Sequence, residues 1–127
     1  MILGHGVDVT EIARIEEAVS RFGERFLERS FCPDEIAYCR PMKFPGPHFA
    51  ARFAAKEAVA KAFGVGIGGD VGWRDVEVTR DAEGRPSVVL HGAAKALAER
   101  RHVARVHLAL SHTAGCAWAS VILESAD

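Results

Sequence analysis

The sequence contains no long apolar run and little cysteine. A transmembrane helix needs about 20 consecutive apolar residues, and no stretch of this chain approaches that length. The opening Met1–Leu3 leads directly into Gly4, without a basic start and a long apolar run, so no secretory signal is expected. The cysteines are odd in number and lack CxxC spacing, which argues against a zinc site or a disulfide framework and predicts reduced thiols in a cytoplasmic protein: Cys32, Cys39 and Cys116.

An excess of charge of either sign is also absent. The chain has 16 Lys and Arg residues against 17 Asp and Glu residues, a net charge of −1. This balance gives no indication of a nucleic-acid or membrane partner. The glycine-rich Gly64–Gly72 follows a helical pattern in the wrong register for a dinucleotide fingerprint, and no P-loop is present. The length of 127 residues predicts one domain, 1–127.

The most informative segment is Phe49–Gly64, which is rich in alanine. The spacing of prolines and glycines predicts a helix that starts after Pro47 and stops at Gly64. Four side chains spaced four residues apart form one line along it, apolar at first and then ionic: Phe49, Phe53, Glu57 and Lys61. On spacing alone, an exposed Glu57–Lys61 ion pair worth about 0.3–0.5 kcal/mol is the favoured interpretation.

The remaining pattern predicts an α+β fold, with an antiparallel sheet packed on one long central helix and shorter helices. In Thr10–Arg29, helical except near Gly23, the expected buried stripe is Ile12, Ile15, Val19 and Phe22. A short helix within Ser30–Cys39 and a loop over Arg40–His48 follow. The other expected elements are the strands Met1–Val9, Trp73–Arg80, Pro86–Leu90, Val103–Ser111 and Cys116–Leu123, and the helix Ala93–Arg101.

Three features of this framework allow both a structural and a functional interpretation. Asp8 and Glu11 fit a helix capping box, but Asp8 could equally be a functional carboxylate at a strand end. A basic stripe along the first helix is either a solvated face, which the pattern favours, or a docking strip for an acidic partner: Arg14, Arg21 and Arg25. His112 is either a turn residue or an anion contact. Gly4 and Gly6 have no side chains, which leaves room for a neighbouring segment, such as another backbone, to pack closely.

Asp8 and Glu57 converge if the first strand lies beside the central helix. Two carboxylates with water completing the shell suit Mg²⁺. Nearby positive charge for phosphate groups would come from Lys61, Arg52 and His112. A metal ion with fixed cations is a common arrangement for phosphoryl-type transfer.

Two blocks of sequence resemble a known family, the 4′-phosphopantetheinyl transferases of the holo-acyl-carrier-protein synthase type. The blocks are GVDVTEIARIE at Gly6–Glu16 and RFAAKEAVAKAFGVGIG at Arg52–Gly68, and LSHT at Leu110–Thr113 also matches. The resemblance covers essentially the whole chain and fits the small, single-repeat bacterial class. His5 and the proline-rich loop Arg40–His48 depart from the family pattern.

The resemblance implies transfer of 4′-phosphopantetheine from coenzyme A to a serine of an apo acyl carrier protein, with release of adenosine 3′,5′-bisphosphate. It implies that Mg²⁺ is held by Asp8 and Glu57. Lys61 matches a contact to the phosphate under attack, and the residues that match contacts to the 3′-phosphate are Arg52, His112 and Thr113. The residues that match the carrier-docking surface are Arg14, Arg21 and Arg25. The family is typically a homotrimer with active sites between subunits.

The base that takes the serine proton is left open between a water on the metal and Glu57. Which carrier protein is preferred is also left open. Two other classes of function remain: a non-catalytic module that binds an acidic protein through the arginine strip, and a different metal-dependent phosphotransferase or phosphohydrolase using the same carboxylates. The absence of a P-loop, a kinase loop and a metallohydrolase His cluster counts against the second.

Overall fold

A computed structural model describes residues 1–127 and confirms the α+β class. We number five strands and five α-helices in chain order. They are β1 (Ile2–Glu11), α1 (Ile12–Phe22), α2 (Glu24–Ser30), α3 (Pro33–Cys39), α4 (Pro45–Ala62), β2 (Val76–Arg80), β3 (Pro86–Leu90), α5 (Gly92–Arg100), β4 (Arg105–His112) and β5 (Cys116–Glu124). None of the helices is long and apolar enough to cross a membrane.

Helix α4 is the central element and is buried on nearly all sides. It begins at Pro45, three residues before the predicted start, with Pro47 also in its first turn. Backbone N–H groups in a first turn have no partner inside the helix, so both prolines are tolerated there. The helix ends at Ala62, two residues before the predicted stop, and Gly64 follows with φ +78°. Such a positive φ is readily adopted only by glycine.

The antiparallel sheet has the strand order β1-β5-β4 and packs on α4. Its first strand lies directly against the helix backbone. A Cβ atom added at Gly4 would lie 2.1 Å from the carbonyl oxygen of Ala62, and one at Gly6 would lie 2.1 Å from that of Ala58. The prediction that these glycines leave room for another backbone is therefore confirmed, and the contact fixes β1 beside α4.

The predicted apolar stripe on α1 is correct at its start and wrong at its end. Ile12 and Ile15 are buried against α4, and Val19 is partly buried. Phe22, in contrast, is 53% exposed. The chain turns at Gly23, where φ is +55°, and α2 leaves in a new direction. The last residue of α1 therefore extends past the core, where Phe26 and Leu27 of α2 take the buried positions.

The β2–β3 hairpin forms a separate two-stranded sheet. A fully buried ion pair connects it to α4: Lys56 Nζ lies 2.7 Å from Glu35 Oε1 and also donates to the carbonyl oxygens of Trp73 and Val76. Glu35 Oε2 accepts from the backbone N–H of Val78 at 2.9 Å. The predicted strand at Trp73 was wrong over its first three residues, which form a 3₁₀ turn that presents carbonyl oxygens to Lys56.

Candidate active site

Asp8 lies within β1 and caps no helix. The strand continues to Glu11, which pairs with Cys116, and α1 begins at Ile12. The predicted capping box was therefore wrong, as was the strand end at Val9, because pairing with β5 keeps this segment extended. Glu11 occupies the N-cap position without a side-chain cap bond. The side chain of Asp8 is consequently available for another role.

Lys61 of α4 contacts Asp8 across the β1–α4 junction. Its Nζ atom donates to Asp8 Oδ1 at 2.8 Å and to the carbonyl oxygen of Val7 at 3.2 Å. Thr10 Oγ1 donates to the second carboxylate oxygen of Asp8 at 3.2 Å. The hydrogen bond that Lys61 donates to Asp8 raises the pKa of Lys61 above its usual value. The favoured Glu57–Lys61 ion pair is absent, because Lys61 pairs with the strand instead.

Glu57 lies close enough to Asp8 for their charges to interact. Partial burial, and then the charge of Asp8, raise the pKa of the Glu57 carboxyl, while Lys61 and Arg14 oppose the shift. The two carboxylates thus lie within electrostatic range of each other, as their predicted convergence requires. No cluster of three or more His, Cys, Asp or Glu side chains is present, so the candidate metal donors at this place are two carboxylates. Two carboxylates with open positions suit a hard, oxygen-preferring cation such as Mg²⁺.

A basic surface extends from this site along α1 and α2. Arg14, Arg21 and Arg25 are all exposed, and Arg14 is close enough to Glu57 to influence its pKa. The guanidinium of Arg21 lies 5.4 Å from the ring centroid of the exposed Phe22. An aromatic side chain among arginines gives this surface both charge and apolar area, which a plain solvated face would lack.

A second cluster of basic residues surrounds a cavity of about 190 Å³ on another side of α4. Arg52 is 2% exposed, and its guanidinium lies 4.4 Å from the ring centroid of Tyr38. Its Nε atom is buried without a hydrogen-bond partner. The residues that line the cavity include no carboxylate: Pro47, His48, Ala51, Arg52, Arg80, Pro86, Leu110, Ser111 and His112. This is the composition expected of an anion site.

The structure brings two of the three predicted phosphate contacts together. Arg52 and His112 both line the cavity. Thr113 lies in the adjoining turn, where its N–H donates to the carbonyl oxygen of Cys116. His112 was expected in that turn and is instead the last residue of β4, because pairing with Ala117 extends the strand.

Sequence reasoning missed two basic residues of this cavity, His48 and Arg80. His48 lies one helical turn before Arg52, a spacing that would have indicated it had the start of α4 been placed correctly. Arg80 comes from β2, and no local pattern connects it to α4. The buried position of Lys56, which does not line the cavity, was also missed. Its burial depends on Glu35, 21 residues away in the sequence.

The two clusters point in different directions. Arg52 and Glu57 are five residues apart on α4, which separates their side chains by about 140° around the helix. No hydrogen bond or ion pair links Asp8, Glu57 and Lys61 to the Arg52 cavity. Within the chain, the carboxylates and the anion cavity are therefore two separate groups of residues.

Comparisons with known proteins agree on one family. The sequence model of the 4′-phosphopantetheinyl transferase superfamily matches residues 4–117. A holo-acyl-carrier-protein synthase of Koribacter versatilis is 51% identical over 124 residues, covering 98% of this chain and 99% of that protein.

Solved structures agree with this match. The crystal structure of the holo-acyl-carrier-protein synthase of Neisseria meningitidis has a TM-score of 0.91 and 35% identity, covering 98% of this chain and all of the other. The Helicobacter pylori enzyme, solved in complex with coenzyme A, has a TM-score of 0.84 and 34% identity, covering 94% and 99%. The chain belongs to the 4′-phosphopantetheinyl transferase superfamily, and within it to the holo-acyl-carrier-protein synthases.

Proposed function

We propose that this enzyme transfers 4′-phosphopantetheine from coenzyme A to a serine hydroxyl of an apo acyl carrier protein, with Mg²⁺, releasing adenosine 3′,5′-bisphosphate. The observation that carries the proposal is the convergence of Asp8, Glu57 and Lys61 at the β1–α4 junction. Such a site suits attack on a pyrophosphate, where alignment and neutralisation of charge provide most of the rate enhancement.

Asp8 and Glu57 are the residues that would hold Mg²⁺. Their fit to the ion rests on chemistry: both are hard oxygen donors, and burial together with the charge of Asp8 raises the pKa of Glu57. When bound, the ion would neutralise charge on the pyrophosphate of coenzyme A. Lys61, which is half-exposed and carries a raised pKa, stays protonated and supplies a fixed positive charge to the phosphate under attack. Two candidates are kept for the group that accepts the serine proton, a water on the ion and Glu57 itself.

The basic surface of Arg14, Arg21 and Arg25 is proposed to dock the carrier protein. Arg14 links this surface to the carboxylates, so a carrier bound along α1 would present its serine close to Glu57. Exposed positive charge accelerates encounter with an acidic partner. The exposed Phe22 between these arginines would add apolar contact.

Reversal of one docking charge tests that surface. We expect Arg21→Glu to raise KM for the carrier protein about tenfold and to leave KM for coenzyme A nearly unchanged. Steady-state kinetics with each substrate varied in turn would measure both constants. Arg85→Glu, an exposed reversal on the β2–β3 turn, is the control. Equal effects on the two KM values would contradict the docking role.

The apolar outer face of the sheet supports association between copies of the chain, and we propose the homotrimer that is typical of the family. The face turned away from α4 exposes large apolar side chains that nothing in the chain covers: Leu3, Val7, Val9 and Trp118. Val9 and Trp118 are cross-strand partners, and Val7 lies on the same face of β1, so these three form one apolar area. Exposed apolar areas of this kind mark protein interfaces. Pairing of copies across this face would allow the carboxylates of one chain to meet the anion cavity of another.

We propose a cytoplasmic location, which suits the thiols of this chain. The cysteines form no disulfide. Burial raises the pKa of both Cys32 and Cys39 to about 11, so these thiols stay protonated and unreactive.

Intact-mass spectrometry of apo acyl carrier proteins incubated with the enzyme, coenzyme A and Mg²⁺ tests the function directly. We expect a mass gain of one phosphopantetheine group on the carrier, which EDTA abolishes. No gain with fatty-acid and polyketide carriers alike would favour a binding module. Release of phosphate or nucleotide without a carrier would indicate a phosphohydrolase.

The raised pKa of Glu57 has a consequence for stability. A carboxyl whose pKa is raised by folding stabilises the fold when protonated, and that contribution is lost as pH rises through the folded-state pKa. We therefore expect Glu57→Gln to raise the melting temperature at pH 7 in metal-free buffer, and the gain to vanish as pH falls below about 4, the ordinary carboxyl pKa. Differential scanning calorimetry at several pH values would measure the melting temperatures, with Glu11→Gln as an exposed control. An unchanged or lowered melting temperature at pH 7 would contradict it.

A further inference from the structure

Arg80 is an arginine of the anion cavity whose charge has no counter-ion. Its Nε atom donates to the hydroxyl of Tyr38 at 2.9 Å, and Nη1 donates to the carbonyl oxygen of Gly84 at 2.7 Å. Both partners are neutral, and Nη2 keeps its N–H groups for a ligand. Arg85, on the same hairpin, is in contrast paired with Asp81 and Glu83.

Two guanidinium groups share one aromatic ring in this cavity. Those of Arg52 and Arg80 lie 4.4 and 5.2 Å from the ring centroid of Tyr38. Both arginines line the same small cavity, where their like charges repel, and no carboxylate lines it to offset them. A doubly charged anion in the cavity would offset this repulsion, and the Nε of Arg52 is a buried donor at this cavity that the protein leaves without a partner.

The histidines of the cavity do not supply its permanent positive charge. Burial lowers the pKa of His48, and the positive charges of Arg52, His112 and Arg80 lower it further. His48 is therefore neutral at pH 7, where it can donate or accept a hydrogen bond. The permanent positive charge of the cavity comes from its two arginines.

The hairpin that carries Arg80 is rigidly attached. The buried Lys56–Glu35 pair ties β2 to α4 and α3 through the carbonyl oxygen of Val76 and the N–H of Val78, two residues before Arg80. Because α3 also carries Tyr38, the same network positions the ring on which both guanidinium groups lie. Preorganised charges of this kind discriminate strongly between anions.

We propose that Arg80 is a specificity-determining residue that binds a phosphate monoester of the nucleotide together with Arg52, with Tyr38 as its positioning residue. The assignment rests on the proposed function, in which the 3′-phosphate of coenzyme A is this monoester. Arg80 then separates coenzyme A from its 3′-dephospho form. The phosphate is bound as a dianion, with Arg52 and Arg80 each supplying N–H donors.

The test compares the two substrates in the intact enzyme. We expect Arg80→Met to lower kcat/KM about 10- to 100-fold with coenzyme A, the usual effect of losing a hydrogen bond to a charged group. With 3′-dephospho-coenzyme A we expect less than about a twofold change. Arg85→Met is the matched control and should leave the ratio of the two substrates at its wild-type value. Equal losses with both substrates, or an unchanged ratio, would overturn the proposal.

Two further measurements separate an effect of Arg80 on phosphate binding from an effect on catalysis. Tyr38→Phe keeps the ring and removes only the hydroxyl that holds Arg80, so we expect the same loss of discrimination in weaker form. Calorimetric titration with adenosine 3′,5′-bisphosphate and with AMP measures binding without catalysis. If the wild type transfers nothing to any carrier, the proposed function fails, and the titration still decides on Arg80. Equal affinity of wild type and Arg80→Met for the bisphosphate would reject the assignment.

Discussion

Asp8→Ala is expected to abolish phosphopantetheine transfer while leaving the protein folded. Loss of a group that merely supports a metal ligand lowers activity about 10- to 100-fold, so removal of a direct ligand should exceed that range. The side chain caps no helix, and its ion pair is with the half-exposed Lys61. Such a pair contributes about 1 kcal/mol or less, which corresponds to a change in melting temperature of about 5 °C or less.

Transfer rate and melting temperature should be measured on the same preparation of Asp8→Ala. Titration calorimetry with Mg²⁺ gives a readout that does not depend on activity, and we expect no detectable binding. Glu11→Ala is the matched control, since Glu11 is an exposed carboxylate three residues later on the same strand and has no side-chain cap bond. A large fall in melting temperature with activity restored on cooling would mean that Asp8 acts structurally.

Mixed oligomers of two inactive variants are expected to regain activity. The variant Asp8→Ala lacks a carboxylate but keeps the anion cavity, and Arg52→Met has the opposite defect. If each active site takes its carboxylates from one chain and its cavity from the next, a cyclic trimer that contains both variants has both intact halves at about one site in three. Co-expression of differently tagged chains, followed by purification through both tags, would provide the sample.

The controls for this experiment come from the same two half-sites. Asp8→Ala mixed with Glu57→Ala should regain nothing, because both changes fall in the carboxylate half. A double change of the exposed His112 and Thr113 to alanine can replace Arg52→Met if loss of the buried arginine unfolds the chain. Activity of the mixture no greater than that of the separate variants would show that each site lies within one chain. Light scattering gives the oligomeric state independently.

Several assignments were correct from the sequence because they depend on local repeats. The four-residue spacing of Phe49, Phe53, Glu57 and Lys61 placed all four on one line of α4, buried at its start and exposed at its end. The paired glycines of β1 indicated a close backbone contact, which Ala58 and Ala62 provide. The motifs around Asp8 and Glu57 indicated the family. These features can be read from short stretches of sequence, because helical spacing and the positions of glycines are local properties of the chain.

Long-range contacts decided the rest. Whether Asp8 caps a helix or remains in a strand depends on β5, more than a hundred residues later, and the pairing of Glu11 with Cys116 settled it. Likewise the partner of Lys61 is Asp8 and not Glu57, because β1 lies within reach of its side chain. The cavity is the clearest case, because a hairpin held by the buried Lys56 brings Arg80 to the same cavity as Arg52. The sequence by itself determined which residues carry the chemistry; only the tertiary structure decided which of them meet, because the energy of a charged contact depends on distance and burial.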